Sequence, residues 1–172
     1  MFQRRQFMIG SGAITGFFAT EIAQAKKPSQ EKTMDGTEIT SIVNRIAILS
    51  DLRDWTAVRQ CFTAQVAVDY TSLTGGQPET IAANALVQRW KSAFDSNFKT
   101  TQHLLGSHTI TIQGDAATCL CHFQARHVAF ESKKGVWTLG GHYNHDLVKT
   151  PSGWRVRGMK MSWTWEEGAR PF

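Results

Sequence analysis

An alternation of apolar and polar side chains runs from residue 100 to residue 166 and constrains the fold more than any other feature. Successive side chains of a β-strand point to opposite faces, so this two-residue period predicts strands. Three short segments rich in Gly, Pro, Ser and Asp interrupt it, which leaves four long strands at residues 100–113, 116–130, 136–150 and 154–166. Such short connections favour antiparallel neighbours.

The two central strands each carry one row of side chains that is largely apolar. The first row consists of Cys119, Cys121, Phe123, Ala125, His127 and Ala129, and the second of Trp137, Leu139, Gly141, Tyr143, His145 and Leu147. Both rows are predicted to face the interior. A buried polar group needs a partner, so His127 and Tyr143 are expected to face other polar groups or a hollow. His145 lies near a strand end, and its role stays open.

Helical periodicity precedes the strands. Helices are predicted from Thr37 to Asp51, over residues 54–62 and over residues 78–94, with a short strand at 66–70. Helices followed by a long antiparallel sheet indicate an α+β fold in which the helices cover one sheet face. Glycines within the long strands should bend or bulge them, so the sheet should curl and enclose a hollow; they are Gly106, Gly140, Gly141 and Gly158.

Composition excludes several classes of protein. The 172 residues are 41% hydrophobic and 19% charged, which is typical of one globular domain. The net charge of +5 is not gathered into runs of Lys and Arg, so no nucleic-acid partner is expected. The three cysteines are interpreted as small buried hydrophobic residues. No spacing of Cys and His typical of a zinc site occurs, and no cofactor is expected.

The N-terminus has the pattern of an export signal. Arg4 and Arg5 precede a largely uncharged stretch and the sequence Ala23-Gln24-Ala25, which is typical of a cleavage site. The paired arginines resemble a twin-arginine signal, which implies a periplasmic protein. We therefore divide the chain into a signal peptide at 1–25, a flexible leader at 26–36 and one domain at 37–172. The uncharged stretch is too short to span a bilayer, so no stable membrane insertion is expected after cleavage.

Three further polar residues are candidates for the hollow, although their orientation stays open. Asp51 lies at the edge of the apolar stripe of the first helix, so it points inward or into solvent. His103 and Ile110 have opposite parity and can share a face only if a bulge forms near Gly106. Tyr70 follows Asp69 in a predicted strand, so only one of the two side chains points inward. We expect it to be Tyr70, because its ring can fill space in the interior.

Five short motifs occur together in the order and spacing of the SnoaL-like group. They are Leu49-Ser50-Asp51-Leu52-Arg53-Asp54-Trp55, Asp69-Tyr70-Thr71-Ser72, Thr101-Gln102-His103, Ala125-Arg126-His127 and Gly153-Trp154-Arg155-Val156. Within that group, the chain most resembles the scytalone dehydratase-like family, over residues 39–168. The resemblance implies a cone-shaped fold of the nuclear transport factor 2-like superfamily, in which a strongly curved mixed sheet and about three helices enclose a pocket.

The resemblance also assigns roles. It implies that Asp51 and His103 form an acid/base pair, that His127 is a second pocket histidine, and that Tyr70 polarises a substrate carbonyl. The chain departs from the family at Ser50, where the family has a tyrosine, and at Gly141 and Tyr143, where it has hydroxyl and amide side chains. The groups that orient the substrate should therefore differ; we expect them to be Tyr143, Phe123, Gly141 and Trp163.

Three functions stay open on this evidence. The first is a lyase or isomerase, dehydratase-like, acting on a cyclic hydroxy-ketone or a polyketide-like molecule. The second is a periplasmic module that binds an apolar small molecule without converting it. The third is a partner-binding protein that forms a homodimer or homotrimer through Met159, Met161, Trp163 and Trp165.

Overall fold

The computed structural model describes residues 18–131 and 135–171, with side chains from Lys32 onward. It divides into two compact units, residues 1–33 and 34–172. The site described below belongs to the second unit. Export and signal cleavage remain predictions. The paired arginines that suggest them lie in residues 1–17, which are outside the described residues. None of the described helices is long and apolar enough to cross a membrane.

Four helices and six strands make up the described chain. The helices are α1 (Phe18–Asp51), α2 (Trp55–Gln60), α3 (Thr71–Thr74) and α4 (Ala83–Asn97). The strands are β1 (Phe62–Asp69), β2 (Glu79–Ala82), β3 (Phe98–Gln113), β4 (Ala116–Ala129), β5 (Val136–Thr150) and β6 (Gly153–Gly168). The four long strands thus lie within two residues of their predicted bounds, and the α+β class is confirmed.

The six strands form one open mixed sheet in the order β2-β1-β6-β5-β4-β3. The long strands pair as antiparallel neighbours, as predicted, whereas β1 pairs with β6 in parallel. Both predicted inner rows are buried along their full length, and they form one core with buried residues of α1 and α4. All three cysteines are buried and free, as expected.

Each glycine that was expected to disturb a strand lies at or beside a shift of register. In β3 the register shifts between Gly106 and Thr109, and in β5 it shifts between Gly140 and Gly141. A further shift in β5 lies between Asp146 and Leu147, and Asp146 is the residue that pairs with Gly158 of β6. A Cβ on Gly141 would come within 2.0 Å of the Ser162 carbonyl oxygen, so only glycine allows the strands to approach so closely there. These shifts bend the sheet around the site.

Buried polar contacts fix α1 against the turn that joins β5 to β6. Asp35 accepts a hydrogen bond of 2.9 Å from the indole nitrogen of Trp154 and forms an ion pair with Lys149. Glu38 accepts another, of 2.8 Å, from the backbone nitrogen of Trp154, which is fully buried. These contacts set the direction of α1, whose C-terminal end reaches the site.

The N-terminal part of the fold differs from the sequence prediction in two places. Helix α1 begins at Phe18, so Thr37 is not its N-cap and the stretch 26–36, interpreted as a flexible leader, is helical. Lys, Gln and Glu in that stretch favour helix even without an apolar period. Residues 79–82, predicted as the start of a helix, form the short edge strand β2 because they pair with β1.

Candidate active site

One pocket opens between α1, α4 and the inner face of the sheet, with a volume of about 250 Å³. Its walls are mostly apolar and include aromatic and methionine side chains of both layers. The polar side chains among them come from both layers and are Ser50, Tyr70, Thr74, Arg89, His103, His127, Tyr143 and His145. The structure therefore brings His103, His127, Tyr70 and Tyr143 to one cavity, as the sequence suggested.

Asp51 lies behind His103 and holds it. Its Oδ1 lies 2.7 Å from the ring Nδ1 of His103, and its Oδ2 accepts a hydrogen bond of 2.7 Å from the backbone nitrogen of the same residue. Thr101 donates a third hydrogen bond of 2.7 Å to Oδ1. The side chains of Asp51 and His103 are only 9% and 12% exposed, so the pair is shielded from water.

The protonation state of this pair follows from its contacts. Burial alone would raise the pKa of Asp51, but the hydrogen bonds and charge of His103, with the Thr101 hydroxyl, more than offset burial and hold that pKa below its usual value. An ionised carboxylate only accepts hydrogen bonds, so Nδ1 of His103 carries the proton. In its neutral form the ring therefore has its free lone pair on Nε2, as a general base requires.

The end of α1 explains why Asp51 points inward. The helix closes with a turn in which the backbone nitrogen of Arg53 bonds to the Ser50 carbonyl and that of Asp54 to the Leu49 carbonyl. Arg53 takes the left-handed conformation, with φ of 61°. Glycine is usual at such a position, and another residue costs about 1–2 kcal/mol there. Asp51 is the last residue of the helix, and its position there places its carboxylate next to Thr101 and His103 of β3.

A bulge in β3 brings His103 to the inner face. Ser107 has φ of 55°, and the register with β4 shifts between Gly106 and Thr109. His103 lies opposite Ala125 and Ile110 opposite Cys119, both of which belong to the inner row of β4. The bulge thus lets His103 and Ile110 face the same side of the sheet, which was the condition stated from the sequence.

His127 lies in an aromatic enclosure. Its ring centroid is 4.6 Å from that of Phe98, 5.0 Å from that of Trp137 and 5.3 Å from that of His103. Its Nδ1 has no hydrogen-bond partner among the described residues. Burial, helped by the neighbouring His103, lowers the pKa of His127 to about 3. His127 is therefore a neutral imidazole at neutral pH.

Tyr70 and Tyr143 present phenol groups to the pocket. The Tyr70 hydroxyl lies 3.4 Å from the sulfur of Met159, which is a weak acceptor that a ligand oxygen can replace. Within the described chain, the Tyr143 hydroxyl makes no hydrogen bond. Burial raises the pKa of both tyrosines, so each keeps its proton and can donate it in a hydrogen bond.

His145, whose role the sequence left open, also lines the pocket. It is 1% exposed, and its Nδ1 has no hydrogen-bond partner in the described ranges. Burial lowers the pKa of His145 to about 4. Like His127, it is a neutral imidazole on the wall.

The structure places three expected substrate-binding residues outside the pocket lining. Phe123 lies behind the wall and stacks on Tyr143 with ring centroids 4.3 Å apart. Gly141 lies at the bend of β5 opposite Phe123. Trp163 is partly exposed, lies under the guanidinium of Arg170 and donates a hydrogen bond to the Trp165 carbonyl. Phe123 can therefore affect the shape of the pocket only through Tyr143, and Gly141 only through the bend of β5.

Sequence reasoning missed Thr101 and Arg53. Thr101 lies two residues before His103 on the same face of β3, so its parity was an available signal. The guanidinium of Arg53 donates a hydrogen bond of 2.9 Å to the Thr101 hydroxyl, and the sequence carries no pattern that indicates this contact. Across residues 32–131 and 135–171, no group of three or more His, Cys, Asp or Glu side chains is arranged to hold a metal ion.

Comparison with known proteins places these residues in a family. The model of the SnoaL-like domain matches residues 31–160. The uncharacterized protein Rv2910c of Mycobacterium tuberculosis is 26% identical over 122 residues, which cover 71% of this chain and 80% of the relative. The crystal structure of Kfla4162 from Kribbella flavida is 28% identical, with a TM-score of 0.76 over 79% of this chain and 95% of that one.

Two more distant structures share the fold. The "Putative Scytalone Dehydratase" of Novosphingobium aromaticivorans is 15% identical, with a TM-score of 0.73 over 83% of this chain and 92% of that one. An NTF2-like superfamily protein from Salmonella enterica is 18% identical, with a TM-score of 0.66 over 77% of this chain and 92% of that one. The chain therefore belongs to the SnoaL-like domain family and has the nuclear transport factor 2-like fold, in which it is similar to scytalone dehydratase-like proteins.

Proposed function

We propose that this chain is a lyase or isomerase that needs no cofactor and acts by acid/base chemistry on a cyclic hydroxy-ketone or a polyketide-like small molecule. The observation that carries the proposal is the Asp51–His103 pair, with 2.7 Å between oxygen and Nδ1, at the wall of a mostly apolar pocket. Membership of the SnoaL-like family and the likeness to a dehydratase-like structure support it.

The first step is removal of a proton next to the substrate carbonyl. Nε2 of His103 takes the proton, and the electron pair of the broken C–H bond forms an enolate. Asp51 stabilises the imidazolium that results, because its negative charge lies against Nδ1. The apolar walls exclude water and so strengthen this interaction.

The enolate oxygen needs a hydrogen-bond donor. Tyr70 is the proposed donor, because its hydroxyl is protonated and lies against the Met159 sulfur, a weak acceptor that a substrate oxygen can replace. Tyr143 can donate to a second substrate oxygen. A donor of this kind stabilises the negative charge where it develops, which is a large contribution in a buried site.

Loss of the β-hydroxyl completes a dehydration. The enolate re-forms the carbonyl, the C–O bond breaks with its electron pair, and the His103 imidazolium returns its proton to the leaving oxygen. The products are an unsaturated ketone and water, and His103 is neutral again. In an isomerisation, the same proton returns to another carbon. His127 is neutral, so we assign it to hydrogen bonding with the substrate and not to proton donation.

A ligand-binding module is the second candidate, and the mostly apolar pocket wall favours it. The two proposals differ in what they require of Asp51. Binding an apolar molecule does not need a buried carboxylate within hydrogen-bond reach of an imidazole, whereas acid/base catalysis does. The short Asp51–His103 contact therefore supports catalysis.

Two related proposals concern location and assembly. The paired arginines near the N-terminus support export to the periplasm, and mass spectrometry of the protein from periplasmic extracts would show cleavage after Ala25. A homodimer or homotrimer is proposed as the assembled form, and light scattering of the purified protein measures its mass directly.

The test uses two probes, 3-hydroxycyclohexanone and 3-hydroxy-1-tetralone, which become conjugated or aromatic on loss of water. Product is followed by absorbance or fluorescence with the unmodified protein, His103→Asn and His122→Asn. The last is a matched control, because His122 is exposed on the opposite face of β4. Turnover by the unmodified protein and the control, with loss in His103→Asn, supports the proposal. Equal turnover in all three would overturn the assignment, and tight binding without turnover would favour the binding module.

A further inference from the structure

Arg53 occupies a backbone position that favours glycine. It follows α1 in the left-handed conformation, with φ of 61°, where a Cβ crowds the backbone. The described chain has one other non-glycine residue with positive φ, Ser107 in the bulge of β3. An arginine at this position gives up backbone stability that glycine would provide, so its side chain is the feature to explain.

The Arg53 side chain turns back toward the Asp51–His103 pair. Its Nη1 donates hydrogen bonds of 2.9 Å to the Ser50 carbonyl and 2.9 Å to the Thr101 hydroxyl. Its guanidinium carbon lies 4.9 Å from the centroid of the Phe94 ring, which is stacked on His103 with an interplanar angle of 7°. The guanidinium thus contacts residues on both sides of the pair.

The direction of these hydrogen bonds follows from the chemistry of the groups. Arginine only donates, so the Thr101 oxygen accepts from Arg53. The Thr101 hydroxyl proton is then free to point at Oδ1 of Asp51, 2.7 Å away. Oδ1 also accepts the Nδ1 proton of His103. A chain of donors therefore runs from Arg53 through Thr101 to the oxygen that holds the imidazole.

We propose that Arg53 is a positioning residue that fixes the Asp51 carboxylate, through Thr101, in the orientation that holds His103 with its free nitrogen toward the pocket. This role rests on the proposed function for its effect on turnover, but its effect on the His103 ring does not depend on turnover. The competing explanation is that Arg53 only closes the end of α1 through its bond to the Ser50 carbonyl.

The experiment compares three variants of the full chain. Arg53→Gly removes the side chain and relieves the backbone. Ser107→Gly is the matched control. It places glycine at the other position with positive φ, which is exposed and lies away from the Asp51–His103 pair. Thr101→Val removes the hydroxyl through which Arg53 would act, while Arg53 and its bond to Ser50 remain. Arg53→Met, which lacks the hydrogen-bond donors, takes the place of Arg53→Gly if the glycine variant does not fold.

Two measurements are made on each variant. Nuclear magnetic resonance of the imidazole rings records the Nδ1 proton of His103, and kinetics with 3-hydroxy-1-tetralone gives kcat and KM. We expect Arg53→Gly and Thr101→Val to shift or broaden the Nδ1 proton signal and to lower kcat about ten- to hundredfold with little change in KM, because a small misplacement of the base is costly. Ser107→Gly should change neither.

The inference is overturned if the Arg53 variant keeps the ring-proton signal and kcat of the unmodified protein, as the control does, even where Thr101→Val changes them. In that case turnover by the unmodified protein would leave the proposed function standing. If the unmodified protein does not turn over the probe, the ring-proton signal alone decides the role of Arg53, and the proposed function fails separately.

Discussion

Replacing Asp51 with Asn is the sharpest test of the site, because it changes one atom of the carboxylate. Asp51 accepts three hydrogen bonds of 2.7 Å, from Thr101, from the His103 backbone and from the His103 ring. An asparagine offers one oxygen and adds two N–H donors. If the asparagine oxygen took the place of Oδ1, the amide nitrogen would face the backbone N–H of His103. Two hydrogen-bond donors would then face each other without an acceptor.

The other orientation of the amide is therefore favoured. The oxygen accepts from the His103 backbone, and the amide nitrogen faces Nδ1 of the ring, which must now accept. The ring proton moves to Nε2, the atom that faces the substrate, and the base is lost. General-base catalysis contributes about 10²–10⁴ in rate, so kcat of Asp51→Asn should fall by that factor. One mismatched buried donor should also cost about 1–3 kcal/mol of unfolding free energy.

Three measurements check this reasoning. Turnover of 3-hydroxy-1-tetralone gives kcat, nitrogen shifts of the His103 ring identify the protonated atom, and denaturant unfolding gives stability. Asp35→Asn is the control, since the Asp35 carboxylate of α1 is similarly shielded from water and hydrogen bonded, but contacts Trp154 and Lys149 instead of the site. It should lose stability and keep its turnover. A kcat for Asp51→Asn within about threefold of the unmodified value, or a ring still protonated on Nδ1, would refute the argument.

Three further predictions follow from the pocket wall. Tyr70→Phe should lower kcat about 10²-fold with little change in melting temperature, since the hydrogen bond of the hydroxyl to the Met159 thioether is weak; unchanged kcat would remove Tyr70 from the mechanism. Ala125→Trp fills the pocket from β4 and should abolish binding of 1-naphthol while circular dichroism stays native, and retained affinity would place the ligand elsewhere. The pKa of His145 is about 4 in the folded protein, below the ordinary value near 6.5, so the unfolded chain binds its proton first and stability falls as pH drops from 6.5 to 4. His145→Gln should remove up to about 3 kcal/mol of that pH dependence in urea unfolding, and an unchanged slope would contradict the assignment.

The sequence predicted the sheet well because alternation is a strong signal when one face is buried. The inner rows of β4 and β5 were identified residue by residue, and the bulge near Gly106 was the condition for His103 to face inward. Register follows from such rows, since a slip of one residue would expose every inner side chain.

Other features depend on contacts between distant parts of the chain. Helical periodicity left Asp51 at the edge of the apolar stripe, and its contacts with Thr101 and His103 of the distant strand β3 show that it points inward. The four residues of β2 adopt strand because β1 lies beside them, which local propensity cannot indicate. Trp163 had the residue type of a pocket wall, yet Arg170 covers it instead. The role of Arg53 likewise depends on side-chain geometry that no spacing reveals.

The parallel pairing of β1 with β6 joins the start of the sheet to its end. Strand β6 is synthesised after the other five described strands, yet it lies in the middle of the strand order and separates β1 and β2 from the other three. A nascent chain that stops before Gly153 would therefore hold two unconnected pieces of sheet and no pocket. The pocket therefore cannot form before β6 has been synthesised, and a nonsense mutation just before β6 should be as damaging to the pocket as an early one.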